Sequence, residues 1–156
     1  CKLMTLLLIR HATAAAHELV GGDFVRNLVE KGHEQSQRVG RFIKKHELTP
    51  DIVLSSPVLR AKETAKILAG EGCPKPIIEP WLACGMGPEV ALEELKAYQK
   101  FNRVAMVGHE PDFSALVEHI LGAETYSIRV KKASIISLEL GRHPILNFSI
   151  TCKLLK

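Results

Sequence analysis

The stretch that decides the fold is Leu6-Leu7-Leu8-Ile9-Arg10-His11-Ala12-Thr13, in which four apolar residues are followed at once by a cation and an imidazole. A continuous apolar run of this length predicts a short strand that is covered on both faces of a sheet. Side chains at the carboxyl end of such a strand lie where open α/β sheets usually bind ligands. Taken alone, an Arg-His pair is more often an ordinary strand-end loop, and only further stretches of the chain give it a functional meaning.

Length and composition limit the class of protein. The chain has 156 residues, of which 46% are hydrophobic and 24% charged, and this predicts one globular domain spanning residues 1–156. The net charge of +4, from 21 basic and 17 acidic residues, suits an anionic substrate. Because the basic residues are scattered and aromatic residues make up only 5%, we expect no nucleic-acid partner.

The opening apolar run is too short to span a membrane, and Arg10 and His11 end it without a small-residue cleavage site. We therefore expect no membrane partner.

The chain contains four cysteines that form no C-x-x-C pair and no metal-ligand spacing: Cys1, Cys73, Cys84 and Cys152. Isolated reduced thiols are typical of cytoplasmic proteins, so we expect a cytoplasmic location.

Strand and helix patterns alternate after the opening run. Beyond a long loop over 14–31, the predicted elements are a helix over 33–46, a strand over 51–55, a helix over 57–69, a strand over 77–79, a helix from Pro88, a strand over 103–107 and a helix from Pro111 to Gly122. Ser56 is expected to be the N-cap of the second helix, with Pro57 at its first position.

The last part of the chain has a different period. Residues 134–140 and 145–154 alternate apolar and polar side chains, and a Gly-Arg-His-Pro turn joins them. This pattern predicts an antiparallel hairpin at the edge of a sheet built from β-α repeats. The expected fold class is α/β, with three layers (α/β/α) around a mostly parallel sheet that ends in this late antiparallel hairpin.

Three predicted strand-to-helix junctions carry Arg10-His11, Arg60 and His109. Because all such junctions lie at one edge of a parallel sheet, two arginines and two histidines should converge there. Guanidinium groups match phosphate oxygens and stabilise a phosphoryl group in transfer. A neutral imidazole is a nucleophile toward phosphorus, and neighbouring cations disfavour its protonated form. The set predicts phosphoryl chemistry, and the positive end of the helix beginning at Pro111 adds to it.

These stretches resemble the motifs of the histidine phosphatase superfamily, which has the phosphoglycerate-mutase-like fold. Residues 8–12 resemble its R-H-G/A motif, residues 55–65 its S-x-x-x-R-A-x-x-T-A segment, and residues 107–111 its second-histidine motif. The resemblance implies that His11 is the nucleophile and forms a phosphohistidine intermediate, and that Arg10, Arg60 and His109 bind the phosphoryl group. Since arginine and histidine supply the positive charge that magnesium supplies in kinases, we expect no metal and no cofactor.

Within the superfamily the chain is most similar to the SixA-type phosphohistidine phosphatases, because it is short and has no inserted cap domain. The segment from Arg26 to Gly32 resembles their R-x-L-T-x-x-G segment, with Val29 in place of the usual Thr. Arg26 is therefore a further candidate for substrate binding. Lys131-Lys132-Ala133-Ser134 resembles the lysine-rich stretch that precedes their late hairpin.

One departure from the superfamily bears on the substrate. Many members place a Glu or Asp after the third strand, as proton donor to the leaving group, whereas this chain has Leu82-Ala83-Cys84-Gly85 there. Glu79 and Glu89 are near in sequence, but neither aligns well; Glu110 is a further carboxylate near the second histidine. An alkoxide leaving group needs protonation, and the imidazole of a phosphoramidate needs much less help. The missing acid therefore favours phosphohistidine over sugar phosphates and argues against a mutase.

The leading interpretation is a phosphatase that acts on a phosphohistidine-bearing protein, for example a phosphotransfer domain. A small-molecule phosphomonoesterase using the same pocket is the first alternative. A non-catalytic phosphoryl-binding module is the second, and the intact set of two histidines and two arginines counts against it.

Overall fold

The opening apolar run forms β1 (Met4–Arg10), an interior strand of a six-stranded sheet. The computed structural model describes residues 3–16 and 26–155. All four apolar residues of the run, Leu6 to Ile9, are fully buried. The strand is therefore covered on both faces, as its sequence predicts.

Strands and helices alternate as expected. The other strands are β2 (Ile52–Ser55), β3 (Ile77–Ile78), β4 (Arg103–Gly108), β5 (Ile135–Leu140) and β6 (Ile145–Ile150). The helices are α1 (Glu30–Lys45), α2 (Leu59–Gly70), α3 (Pro88–Leu95) and α4 (Asp112–Leu121).

The sheet has the order β3-β2-β4-β1-β5-β6. Its first four strands in that order run parallel, β5 pairs antiparallel with β1, and β6 pairs antiparallel with β5 at the edge. This confirms the predicted fold class, a mostly parallel sheet with a late antiparallel hairpin. The carboxyl ends of β1, β2 and β4 consequently lie side by side.

Two apolar clusters cover the two faces of the sheet. Leu6 and Leu8 of β1 pack in the cluster that contains Ala91 of α3 and Leu116 of α4. Their neighbours Leu7 and Ile9 point the other way and pack in the cluster formed with α1 and α2. The three layers are thus α1 and α2, the sheet, and α3 and α4.

Some predicted boundaries differ from the structure. The first helix begins at Glu30, three residues before its predicted start, and the second begins at Leu59 with Val58 as its N-cap. The prediction of Ser56 as N-cap is wrong because the chain bends at Pro57 and Val58 after β2, and Val58 takes the N-cap position with an extended backbone. The hydroxyl of Ser56 instead accepts the Val58 N–H at 3.2 Å within the turn that leaves β2.

The last strand is also shorter than its alternation predicts. The strand ends at Ile150, because a short 3-10 helix (Cys152–Leu154) turns the chain back and buries Cys152 in the cluster with α1. Of the predicted loop over 14–31, residues 17–25 lie outside the described residues. Its described ends pair in an antiparallel bridge between Ala14 and Leu28. No helix in the described ranges has the length and apolar character needed to cross a membrane.

Candidate active site

A cavity of about 460 Å³ opens at the carboxyl edge of the sheet, and we call it the site cavity. Its lining residues are Arg10, His11, Ala14, Arg26, Arg60, Cys84, His109, Glu110 and Lys132. All five residues predicted to form the site therefore line one cavity, although four different parts of the chain supply them. The topology brings them together because β1 and β4 are parallel neighbours, and α2 follows β2 at the same edge.

His11 lies at the end of β1 with only 6% of its surface exposed. Its Nδ1 is 2.8 Å from the carbonyl oxygen of Ala12. Since a carbonyl oxygen only accepts, Nδ1 carries the proton and Nε2 keeps its lone pair in the neutral ring. Burial, with help from the neighbouring cations and against the bond to Ala12, lowers the pKa of His11 to about 3. The ring is therefore neutral near pH 7, with a nucleophilic nitrogen at the cavity.

Arg60 is fixed beside that nitrogen. It is the second residue of α2, it is buried, and its Nε donates to Nε2 of His11 at 3.2 Å. A second guanidinium nitrogen, Nη2, donates to Sγ of Cys84 at 3.4 Å across the cavity wall. Because Arg60 lies this close to Nε2 of His11, its guanidinium can donate to the oxygens of a phosphoryl group at that nitrogen without a large movement.

Arg10 supplies a second guanidinium from the last position of β1. Its Nη1 donates to the carbonyl oxygen of Val130 at 2.8 Å, which fixes the side chain against the stretch that precedes β5. Its buried Nε has no hydrogen-bond partner within the described residues. Burial lowers the pKa of Arg10, and the nearby carboxylate of Glu110 opposes that effect. Arg10 lines the site cavity, so its guanidinium lies next to any anion bound there.

His109 follows β4 and places a second imidazole opposite the first. The ring centroids of His11 and His109 are 5.2 Å apart, and the ring planes are inclined by 54°. Nε2 of His109 lies 2.7 Å from Oγ of Ser56, within hydrogen-bond distance, and the direction of that bond depends on the tautomer. Ser56, expected only to cap a helix, is thus a positioning residue for His109.

Thr64 is a second positioning residue to which the sequence analysis gave no role. Its Oγ1 accepts the backbone N–H of Ala12 at 3.1 Å and donates to the carbonyl oxygen of Arg60 at 2.8 Å. One hydroxyl therefore ties the residue after His11 to the helix turn that carries Arg60. The available signal was the spacing, because Thr64 lies four residues after Arg60 and hence on the same face of α2.

Close backbone approach explains two glycines of the motifs. A Cβ at Gly32 would lie 2.1 Å from the carbonyl oxygen of Thr13, so only glycine lets the start of α1 approach the loop after β1. A Cβ at Gly108, just before His109, would lie 2.8 Å from the ring of Phe113. Both glycines therefore permit the packing that sets the ends of β1 and β4.

The three carboxylates considered from sequence have different positions. Glu79 accepts hydrogen bonds from Trp81 and, at 2.9 Å, from Tyr98, and it does not line the site cavity. Glu89 is exposed on α3. Only Glu110 among the three lines the cavity, and its Oε1 accepts the backbone N–H of Ser114 at 2.7 Å.

Cys84 forms part of the cavity wall in the segment where the sequence lacks an acid. The segment after it is held by Asp112, whose Oδ2 accepts the N–H groups of Gly85 at 2.9 Å and Met86 at 3.1 Å. Burial raises the pKa of Asp112, and these two bonds oppose the shift. A thiol therefore occupies this part of the wall.

The described residues contain no group of three or more His, Cys, Asp or Glu side chains placed to hold a metal ion.

Fold and cavity together define an α/β protein with two imidazoles and three guanidinium groups at the carboxyl edge of its sheet, a combination suited to phosphoryl groups. Residues 6–83 match the family model of the histidine phosphatase superfamily (branch 1). An uncharacterised protein of Picosynechococcus sp. is 33% identical over 142 residues, covering 88% of this chain and 86% of that protein.

The chain therefore belongs to the histidine phosphatase superfamily, and this confirms the expected class of enzyme, a phosphatase. Solved structures agree in fold over nearly the whole chain. The protein histidine phosphatase SixA complexed with tungstate has a TM-score of 0.88 at 24% identity, covering 98% of this chain and 100% of that one. The α-ribazole phosphatase from Shigella flexneri has a TM-score of 0.78 at 20% identity, covering 96% and 97%. These similarities confirm the predicted phosphoglycerate-mutase-like architecture.

Proposed function

We propose that this protein is a phosphohistidine phosphatase that removes the phosphoryl group from a histidine of a phosphorylated protein, such as a phosphotransfer domain. The observation that carries the proposal is the neutral, buried imidazole of His11, whose Nε2 lies 3.2 Å from Nε of Arg60 at the wall of the site cavity. We place the protein in the cytoplasm, where its free cysteine thiols would stay reduced.

In the first step, the lone pair of His11 Nε2 attacks the phosphorus atom and the bond from phosphorus to the substrate nitrogen breaks. The leaving imidazole keeps that electron pair and takes a proton from solvent or from His109. Arg10, Arg60 and His109 are proposed to hold the phosphoryl oxygens. As positive charge develops on the ring of His11, the bond from Nδ1–H to the Ala12 carbonyl strengthens and stabilises it.

In the second step, water attacks the phosphorus of the covalent intermediate. The bond from Nε2 to phosphorus breaks, its electron pair returns to His11, and the proton of the attacking water leaves with phosphate or to solvent. Because the pKa of His11 is about 3, the released ring stays neutral near pH 7 and the next cycle begins without deprotonation. Water is the only co-reactant.

The substrate class is proposed from the composition of the cavity wall. Cys84 stands in the segment where many superfamily members supply an acid, and Glu79 and Glu89 do not line the cavity. A leaving imidazole needs little help from an acid, whereas a leaving alkoxide needs a proton. The wall therefore supports a phosphoramidate better than an alkyl phosphate.

A substrate panel tests this proposal. A phosphohistidine peptide, p-nitrophenyl phosphate and hexose phosphates are compared by kcat/KM under identical conditions. We expect the phosphohistidine peptide to be cleaved fastest and hexose phosphates slower by about a hundredfold or more, the scale of one missing proton donor. Faster cleavage of a hexose phosphate than of the peptide would overturn the proposal.

A small-molecule phosphomonoesterase is the second candidate, and one observation favours it. Glu110 lines the site cavity and could protonate an alkoxide; its Oε1 accepts the Ser114 N–H, and its Oε2 accepts no hydrogen bond from the described residues. Glu110→Gln keeps an acceptor for that N–H and removes the acid. A loss of alkyl phosphate turnover in Glu110→Gln, with phosphohistidine turnover retained, would support this second candidate.

A further inference from the structure

A second cationic cavity adjoins the site cavity and shares Arg10 and Lys132 with it. Its volume is about 450 Å³, and its lining residues are Arg10, Thr13, Lys31, Gln35, Lys131, Lys132, Thr151, Cys152 and Lys153. We call this the lysine groove. Five of these nine residues are cationic and none is acidic, in a chain whose net charge is only +4.

The groove continues along α1. A hollow of about 290 Å³ shares Lys31, Gln35, Cys152 and Lys153 with it, and adds Arg38 together with one carboxylate, Glu34. The positive surface thus runs from the site cavity across the start of α1 to the last turn of the chain.

The four ammonium groups of the groove have no acidic partner among the described residues, 3–16 and 26–155. Lys31, Lys131, Lys132 and Lys153 are exposed, and none of them makes an ion pair or a hydrogen bond through its side chain with the described residues. Like charges that lie close together repel one another, so this arrangement slightly lowers the free energy of unfolding of the unbound protein. It becomes favourable when an anionic surface covers it.

Backbone bonds hold the lysine pair next to the site. Ala133 is fully buried with a φ of 56°, in the left-handed region, and its N–H donates to the carbonyl oxygen of Arg10 at 3.1 Å. The N–H of Arg10 in turn donates to the carbonyl oxygen of Ser134 at 3.2 Å. Lys131 and Lys132 are therefore anchored to the same strand end that carries His11.

We propose that the lysine groove is the docking surface for an acidic patch on the protein that carries the phosphoryl group. This inference rests on the proposed function and names its partner more closely. His11 is recessed at 6% exposure, so a phosphorylated side chain must reach into the site cavity while the surface around it meets the rim. The groove is the cationic part of that rim, and Asp and Glu side chains are its complement.

Two phosphohistidine peptides of equal length test the docking surface. One has Asp and Glu around the phosphohistidine, the other has Ser and Gln. The variant is Lys131→Gln with Lys153→Gln, two groove residues that do not line the site cavity. The control is Lys75→Gln, an exposed lysine just before β3 at the far side of the sheet.

We expect wild type and Lys75→Gln to prefer the acidic peptide in kcat/KM, mainly through KM, and the double variant to lose about three- to tenfold of that preference. Hydrolysis of p-nitrophenyl phosphate, which has no acidic surroundings, should be the same in all three proteins. The preference should also shrink at salt concentrations of about 0.5 M, because exposed charges are screened there. Equal kcat/KM for the two peptides in wild type would overturn the docking surface and leave the proposed function intact.

A binding arm separates the docking surface from the proposed reaction. A fluorescent acidic peptide without any phosphoryl group is titrated with each protein by anisotropy. Weaker binding to the double variant than to Lys75→Gln supports the docking surface even if no phosphohistidine is cleaved, in which case only the reaction fails. The last substrate to be compared is a small aryl phosphate ester that carries a second phosphate group. A loss in the double variant for this ester as large as that for the acidic peptide would assign the groove to small ligands and overturn the proposal.

Discussion

The site cavity and the lysine groove are both cationic, and they share Arg10 and Lys132, but they hold charge in different ways. In the cavity, His11 and Arg60 are buried and hydrogen-bonded to each other. In the groove, the lysine side chains are exposed to solvent. A buried, fixed charge acts strongly on one atom, because little water screens it. An exposed charge contributes little by itself and acts as part of a surface.

The comparison predicts that changes to the histidines and arginines of the cavity lower turnover strongly, whereas changes in the groove alter which substrate is preferred. The largest effect is expected for His11→Asn, which removes the nucleophile from a site of similar shape. Turnover of p-nitrophenyl phosphate should fall by about 10⁴-fold or more. Wild type incubated with substrate should also carry a covalent phosphoryl label that is labile in acid and stable in base. A label of the same kind on His11→Asn would mean that another residue is the nucleophile.

Arg60→Lys should have the next largest effect. Lysine keeps the positive charge but loses the planar fork that donates both to His11 and to Cys84. We expect kcat to fall by about a hundredfold, the scale of one lost transition-state donor. Lys132→Arg, which keeps a cation at the shared rim of cavity and groove, is the matched control. Near-native turnover in Arg60→Lys would place Arg60 outside the reaction.

Thr64→Val tests whether the positioning residues of the cavity matter to rate. Valine has a similar shape but leaves the N–H of Ala12 without its acceptor, at a cost of about 1–3 kcal/mol. The melting temperature should fall by about 3–8 °C. At a temperature where the variant is fully folded, kcat should still fall by about tenfold, since His11 and Arg60 lose their common anchor. Thr64→Ser keeps the hydroxyl and should restore both the melting temperature and kcat. If Thr64 had a purely structural role, Thr64→Val would lower only the melting temperature.

The buried state of His11 also predicts how stability depends on pH. The pKa of His11 is about 3 in the folded chain, whereas a freely exposed histidine has a pKa of 6.5, so between these values the unfolded chain binds a proton that the folded chain does not. The free energy of unfolding should therefore decrease as pH falls from 6.5 toward 3, by up to about 1.4 kcal/mol per pH unit from this group. Urea unfolding of wild type and His11→Asn across this range measures the difference. Parallel curves for the two proteins would contradict the buried, neutral histidine.

The smallest effect is expected for removal of divalent metal. Arginine and histidine provide the positive charge at the phosphoryl group in the proposed reaction, so dialysis against EDTA should leave kcat/KM unchanged. Strong inhibition that added magnesium or zinc reverses would require a metal in the mechanism. Such a result would also change the comparison, because the charge of the cavity would then come partly from an ion.

The sequence determined the parts of this protein that depend on local pattern. The apolar run from Leu6 to Ile9, followed by Arg10 and His11, is sufficient to predict a buried strand with functional groups at its end. Alternating elements predict the sheet, and parallel topology then requires Arg60 and His109 to come to the same edge. The prediction was less accurate at the start of α2 and the end of β6, where Ser56 contacts His109 and Cys152 packs in the cluster with α1. Local pattern does not report such contacts.

Only the tertiary structure decided what lies beside the predicted residues. The contact between Arg60 and Cys84, the hydroxyl of Thr64 between two backbone groups, and the approach of Gly32 to Thr13 join residues distant in sequence. The lysine groove is likewise built from α1, the stretch before β5 and the last turn of the chain. Spacing places Thr64 on the same face of α2 as Arg60, but it carries no information on the contacts between residues distant in sequence, because they depend on how helices pack on the sheet. The low pKa of His11 has the same origin, since burial is a property of the folded molecule and cannot be read from neighbouring residues.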